Sequence, residues 1–194
     1  SKLAKSIAHF FVVQNITEES KEVIYAYGME LLISDVLNTI IVLLIALFSH
    51  TLPAVVVFIA VFMGLRQFVG GFHANSHLSC MFTLVMVMMV FSYGICNVSG
   101  HITPIFSISF IMIALPIILC IAPVPHPNKP MSEEKSVKLR KRSCILAVTL
   151  SVVTIALLVF QYQKLSLYVS SGMLLSAIMA LLGHFLNRGD NSKR

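Results

Sequence analysis

The chain has 194 residues, of which 57% are hydrophobic and 11% are charged, whereas soluble domains carry roughly 25% charged residues. This composition leaves no polar half that would form a soluble domain, and it predicts one integral membrane domain over residues 1–194. In so apolar a chain, the net charge of +6 favours orientation in the membrane and contact with anionic lipid, and we expect no nucleic-acid partner. The four cysteines show no paired spacing, which argues against a disulfide framework or a thiolate zinc site.

Residues 1–16 predict an amphipathic helix that lies on the membrane surface. Leu3, Ile7, Phe10 and Phe11 share one stripe of this helix, and the lysines fall elsewhere. The predicted fold is therefore all-α, with this interfacial helix preceding the membrane spans.

The apolar runs predict six transmembrane helices, at about residues 29–48, 54–65, 78–95, 105–121, 145–160 and 165–186. The four prolines between residues 123 and 130 exclude a helix there, and residues 123–143 are predicted as a basic loop. With both termini on one side of the membrane, 13 of the 14 lysines and arginines fall on that side, and only Lys164 does not. The positive-inside rule makes the basic side, and therefore both termini, cytoplasmic.

The second span is predicted to be short. A helix over residues 51–65 covers only ~22 Å, against a hydrocarbon core of about 30 Å. We therefore expect Arg66 and the following Gly70-Gly71 pair to be drawn below the headgroups. Non-helical backbone is tolerated at that depth only inside protein or beside a wet cavity, which predicts a shallow cleft open to the cytoplasm.

A polar segment of fifteen residues, 66–80, holds the groups with chemical potential. A thiolate at Cys80 needs a base and a nearby positive field that stabilises the anion. Asn75 or Ser76 is a plausible N-cap of the third span, and Cys80 lies about one turn further on, where the helix N-terminus provides that field. His73 reaches Cys80 only if the chain folds back at Gly70-Gly71, whereas His77 is its i−3 neighbour on a helix. Geometry alone leaves the choice of base open.

Two segments resemble the core motifs of the AgrB family, accessory gene regulator membrane endopeptidases that process quorum-sensing propeptides. The segments are Arg66-x-x-x-Gly70-Gly71-x-His73-Ala-x-Ser76-x-x-x-Cys80 and Ala122-Pro123-x-x-x-x-x-Lys129-Pro130. The resemblance implies that His73 is the base and Cys80 the nucleophile of a cysteine peptidase, with Arg66 and Gly71 in support. His77 falls at a position that the motif leaves free.

The resemblance also implies the substrate, an AgrD-like propeptide with an amphipathic leader, a central segment carrying a cysteine or serine, and an acidic tail. It further implies a bacterial cell membrane location with the site at the cytoplasmic face, a homodimer, and no cofactor. Beside the motif residues, we expect supporting or substrate-binding roles for Glu30, Lys129, Lys135, Lys138, Arg140, Lys141 and Arg142, because Glu30 lies at the depth of the site and the cations suit an acidic tail.

The sequence is compatible with two other functions. His73, His77 and Cys80 provide three donors, as catalytic zinc needs, but the segment has no carboxylate to orient a histidine ligand, so we assign no metal. A peptide exporter without protease chemistry is the second alternative, with polar groups such as Glu30, Asp35 and Asn38 along its path.

Overall fold

The computed structural model describes residues 2–14, 16–70, 83, 86–87, 89–91, 93–98, 101–124 and 133–191. In these ranges the chain is helical apart from turns, short connections and one isolated bridge. The α-helices are α1 (Lys2–Val13), α2 (Glu22–Phe48), α3 (Leu52–Val69), α4 (Thr103–Ile121), α5 (Glu133–Val159) and α6 (Gln163–Asn191).

Four of these helices are long and apolar enough to cross a membrane: α3, α4, α5 and the Gln163–Phe185 part of α6. They correspond to the second, fourth, fifth and sixth predicted spans. Helix α2 has 27 residues and contains the first predicted span, residues 29–48. The third predicted span lies largely outside the described residues, so a total of six spans stays a prediction.

Two predicted boundaries are wrong. Helix α3 has 18 residues, which span about 27 Å at 1.5 Å per residue, so the second span is not as short as its apolar run suggested. Arg66 lies inside this helix, because arginine is a good helix former, and the helix ends only at Gly70. The predicted basic loop is likewise helical from Glu133 onward, because its glutamates and lysines favour helix as strongly as the apolar residues that follow.

One core cluster joins the C-terminal halves of α3 and α4 to the middle parts of α5 and α6. Its buried members include Leu65, Ile118, Ala147 and Ala180, and Val124 just after α4. Helices α3 and α6 run in the same direction, because Gly172 lies against Phe58 and the later Ser176 reaches Phe62. Helix α4 ends beside the end of α3, and α5 runs in the opposite direction because only residues 160–162 separate it from α6. The ends of α3 and α4 and the start of α5 therefore lie at one end of the bundle. We call this end of the helix bundle the Gly70 end, after the residue that terminates α3.

A second cluster marks the opposite end. It joins the C-terminal half of α2 to the N-terminal half of α3 through Val42, Val55 and Phe58, and Phe91 packs on them. Phe58 and Phe91 have ring centroids 4.3 Å apart. We call this the Cys96 end, because Cys96 packs against the same cluster.

Helix α1 packs against α2. Ala4 and Ala8 are fully buried, His9 lies 3.4 Å from the Glu22 carboxylate, and the Phe11 ring meets Tyr25 edge to face. The small alanines allow α1 to approach α2 closely, so they form the stripe of α1 that faces α2. Leu3 and Phe10, which belong to the predicted apolar stripe, are exposed. Whether α1 lies on a membrane surface stays a prediction.

Candidate functional site

The polar motif begins where α3 ends, and Gly70 forms that end. Its N–H donates to the carbonyl oxygen of Arg66 at 3.0 Å, the last bond of the helix. Its backbone then adopts φ 74° and ψ −150°, a region that is essentially restricted to glycine. The first of the two glycines thus turns the chain out of the helix immediately before Gly71.

The start of the second motif lies against this turn. The N–H of Val124 donates to the carbonyl oxygen of Val69 at 2.9 Å, and Gly70 and Val124 form a parallel bridge. A Cβ at Gly70 would lie 2.5 Å from the Val124 carbonyl oxygen. Gly70 is therefore required twice, for its backbone conformation and for the close approach of residues 122–124.

The apolar floor beneath this contact is fully packed. Leu65, Val69 and Ile118 are completely buried, and Ala122 and Val124 nearly so. Burial of such side chains contributes about 1.5–3 kcal/mol each. The last turn of α3 and residues 122–124 are therefore joined by a buried part of the core.

Helix α6 supports α3 from the other side. A Cβ at Gly172 would lie 3.0 Å from the carbonyl oxygen of Phe58 and 3.1 Å from the Val61 side chain. The Ser176 hydroxyl donates to its own helix at Gly172 and reaches the Phe62 carbonyl oxygen at 3.4 Å. This close packing fixes the position of α3, and with it the Gly70 turn.

Arg66 lies on the last full turn of α3 and is half-buried. Its guanidinium carbon stands 5.5 Å from the centroid of the buried Phe62 ring, a cation–π contact worth about 0.5–2 kcal/mol. The charge is thus held at the Gly70 end of the bundle, close to the motif turn. Glu30 is half-buried in the first third of α2, and its pairing with His73 or Arg66 stays a prediction.

The basic run forms the first two to three turns of α5, and all five of its cations are exposed: Lys135, Lys138, Arg140, Lys141 and Arg142. The Lys138 ammonium pairs with Glu134 one turn earlier. Because α5 runs antiparallel to α3, these cations lie at the Gly70 end. The basic run and the end of α3, where the described part of the motif segment stops, therefore lie at the same end of the bundle.

The other predicted site residues lie outside the described residues: Gly71, His73, Ser76, His77, Cys80 and Lys129. Their roles, and the alternative metal site, stay predictions. In the described part of the chain, Cys96, Cys120 and Cys144 are free thiols.

Sequence reasoning missed the contact of Val124 with Val69 and Gly70. The two segments are 54 residues apart, and nothing in either indicates its partner. The available signal was weaker: a glycine pair follows one apolar helix, and an Ala-Pro pair follows another. Both are helix-ending signals, and both ends lie on the same predicted side of the membrane.

The packed apolar helices define the class of protein, a multi-helix membrane protein with exposed cations at one end of the bundle. A family model, Accessory gene regulator B (AgrB), matches residues 4–180, and the chain belongs to this family. An AgrB-like protein of Clostridium beijerinckii is 24% identical over 141 residues, covering 71% of this chain and 69% of that protein. No solved structure matches the chain.

Proposed function

We propose that this protein is a membrane cysteine endopeptidase that removes the acidic tail of an AgrD-like propeptide and promotes closure of a thiolactone or lactone ring. The observation that carries the proposal is the family match over residues 4–180, which includes both motif segments and therefore His73, Cys80 and Lys129. The contact between Val69 and Val124 supports it, because it joins these two segments at one end of the bundle.

The chain connectivity limits where the base can lie. His73 follows Gly70 by three residues, so its Cα remains within about 11 Å of the Gly70 Cα, at 3.3–3.6 Å per extended residue. Gly70 itself is held by Val124 and the buried floor. We therefore expect His73 at the Gly70 end of the bundle.

In the proposed reaction, the Cys80 thiolate attacks the carbonyl carbon at the C-terminal end of the signal segment. The His73 imidazolium gives its proton to the leaving amine, the C–N bond breaks, and the tail departs. A thioester then joins the signal segment to Cys80. The substrate's own thiol or hydroxyl loses its proton to His73 and attacks this thioester, which closes the ring and restores the Cys80 thiolate.

With a substrate cysteine, ring closure exchanges one thioester for another and is nearly neutral in bond energy. It therefore depends on keeping water away from the acyl-enzyme and on holding the second nucleophile close, where effective molarities reach about 10⁵ M or more. A site set in a membrane-embedded bundle meets the first condition, and the contacts that bind the propeptide must meet the second. An oxyanion hole is also required, and backbone amides near Gly70-Gly71 or at Cys80 are its candidates.

The cellular setting is part of the same proposal. We place the Gly70 end at the cytoplasmic face of a bacterial membrane, because the basic residues of α5 lie there and Lys164 begins α6 at the opposite end. The exposed lysines of α5 contact anionic lipid of the inner leaflet, and α1 gathers the propeptide leader on the same surface. The active form is a homodimer.

The test uses the purified chain in liposomes with a matched propeptide, and release of the tail is measured by mass spectrometry. Cys80→Ala and His73→Ala each abolish release, while His77→Ala retains measurable cleavage. Iodoacetamide stops the reaction and EDTA does not. Equal loss in all three variants contradicts His73 as the base, EDTA sensitivity favours the metal enzyme, and transport without a cleaved tail favours the exporter.

A further inference from the structure

The cations of α5 do not form one surface, because two separate stripes run along this helix. The inward stripe consists of residues packed in the bundle: Ser143, Ala147, Ser151 and Thr154 are all buried. The outward stripe is apolar and exposed, and it consists of Ile145, Val148, Val152, Ile155 and Val159.

Helical register assigns the cations to these stripes. At about 100° per residue, Arg140 lies about 25° from the mean direction of the buried stripe. Lys135, Lys138, Lys141 and Arg142 lie roughly 115–175° from that direction. Lys138 and Lys141 lie on the same face of α5 as the outward stripe. They precede Ile145 at spacings of three and four residues, on the N-terminal side of the exposed apolar side chains.

Arg140 therefore extends the buried stripe beyond the packed core at the Gly70 end. Ala147 packs in one cluster with Leu65 and Val69, and Arg140 lies seven residues nearer the start of α5, about 10 Å along the axis. The Arg140 carbonyl oxygen accepts a hydrogen bond from Ser143, the first buried residue of the stripe, at 2.9 Å. The Arg140 side chain is exposed, so its guanidinium is accessible on the side of the helix that faces the bundle.

We propose that Arg140, alone among the five cations of the run, binds a carboxylate of the substrate's acidic tail and is a specificity-determining residue of the site. The identity of the peptide rests on the proposed function. The position of the Arg140 charge does not, because it follows from the buried stripe of α5. A guanidinium suits this role because it binds a carboxylate through two parallel N–H donors in a fixed geometry. The other four cations lie on faces of α5 that point away from the buried stripe.

The experiment measures binding directly, so that it does not depend on cleavage. The chain is reconstituted in nanodiscs of phosphatidylcholine alone, and the probe is a fluorescein-labelled twelve-residue peptide of Glu, Asp, Gly and Ser. The variants are Arg140→Gln and its matched control Arg142→Gln, which removes the same exposed group from the opposite side of the helix. Neither side chain is part of the core, so neither substitution creates a cavity.

We expect Arg140→Gln to weaken binding of the acidic peptide about tenfold, which corresponds to about 1.4 kcal/mol, and Arg142→Gln to change it less than about twofold. Arg140→Lys keeps the charge and restores part of the affinity. A peptide with Gln and Asn in place of Glu and Asp shows no difference between the variants.

Equal losses in Arg140→Gln and Arg142→Gln, or no loss in Arg140→Gln, overturn the inference and indicate a diffuse electrostatic effect. Tail release from the propeptide is measured on the same preparations. Absence of tail release contradicts the proposed peptidase but leaves the binding result interpretable. Normal tail release with equal binding losses contradicts only the role of Arg140.

Discussion

The backbone N–H of Val124 donates to the carbonyl oxygen of Val69 at 2.9 Å, across 54 residues of sequence. This bond holds the segment after α4 against the last turn of α3, so two motif segments that are distant in the chain begin side by side. Both flanking helices end here, and the residues beneath the bond are buried. The relative position of the two motifs is thus set by the core.

Gly70→Ala is expected to break this relationship. The methyl group would lie 2.5 Å from the Val124 carbonyl oxygen, and alanine is strained at φ 74°, so we expect a loss of about 2–4 kcal/mol in folding free energy or a displaced 122–124 segment. Thermal unfolding in detergent, with tail release on the same samples, measures both effects.

Gly64→Ala is the control for this variant, because it lies in the same helix and a Cβ there has no atom within 4 Å. Alanine in a helix interior is favoured over glycine by about 1 kcal/mol, so Gly64→Ala is expected to be neutral or slightly stabilising. Equal destabilisation by the two substitutions would show that the Gly70–Val124 approach has no special importance.

Gly172→Ala is expected to loosen the contact between α6 and α3. Its methyl group would meet the Phe58 carbonyl oxygen and Val61 at 3.0–3.1 Å, and overpacking of this kind costs about 1–3 kcal/mol. We expect a lower unfolding midpoint and partial loss of tail release, because α3 carries the Gly70 turn. Gly28→Ala, whose added Cβ meets nothing within 4 Å, should leave tail release unchanged and, like Gly64→Ala, be neutral or slightly stabilising.

Cys96 is expected to react slowly with iodoacetamide at neutral pH. Burial raises the pKa of this thiol, and the Lys164 ammonium opposes the rise only in part. Because the thiolate is the reactive form, the raised pKa means less thiolate at pH 7 and a labelling rate that increases only as the pH passes above the ordinary thiol value of about 8.5. Peptide mapping after timed alkylation between pH 7 and 10 measures this profile.

Lys164→Gln provides the sign test for Cys96. Removing the positive charge removes the interaction that lowers the pKa, so the alkylation profile should shift to higher pH. A shift to lower pH, or fast labelling of the wild-type Cys96 at pH 7, would contradict the placement of this thiol at the packed Cys96 end.

The apolar runs were sufficient to predict the four candidate spans, because side chains such as Ile111, Ala114 and Ile118 must avoid water whatever their partners. They were poor guides to helix ends. Arg66 and the run from Glu133 to Arg142 continue their helices although they are charged, since helix propensity and hydropathy are separate properties. Glycine with positive φ ended α3, and charge did not.

The glycine pair predicted a hinge at Gly70-Gly71. The structure gives Gly70 a second role, the close approach of Val124, which the sequence does not indicate. The approach of Val124 depends on how α3 and α4 pack, and packing partners cannot be inferred from either helix alone. The division of the basic run is similar. Its charge was visible in the sequence, but its inward stripe became apparent only when Ser143 and Ala147 were seen to be buried.

The most direct test of the account is to trap the acyl-enzyme. The chain is mixed in liposomes with a propeptide whose ring nucleophile is replaced by alanine, so that closure is blocked, and the intact protein is analysed by mass spectrometry. We expect an adduct with the mass of the signal segment on Cys80, which hydroxylamine removes and which is absent in Cys80→Ala. Tail release that persists in Cys80→Ala, or that occurs with no adduct on Cys80, would contradict the proposed acyl-enzyme reaction.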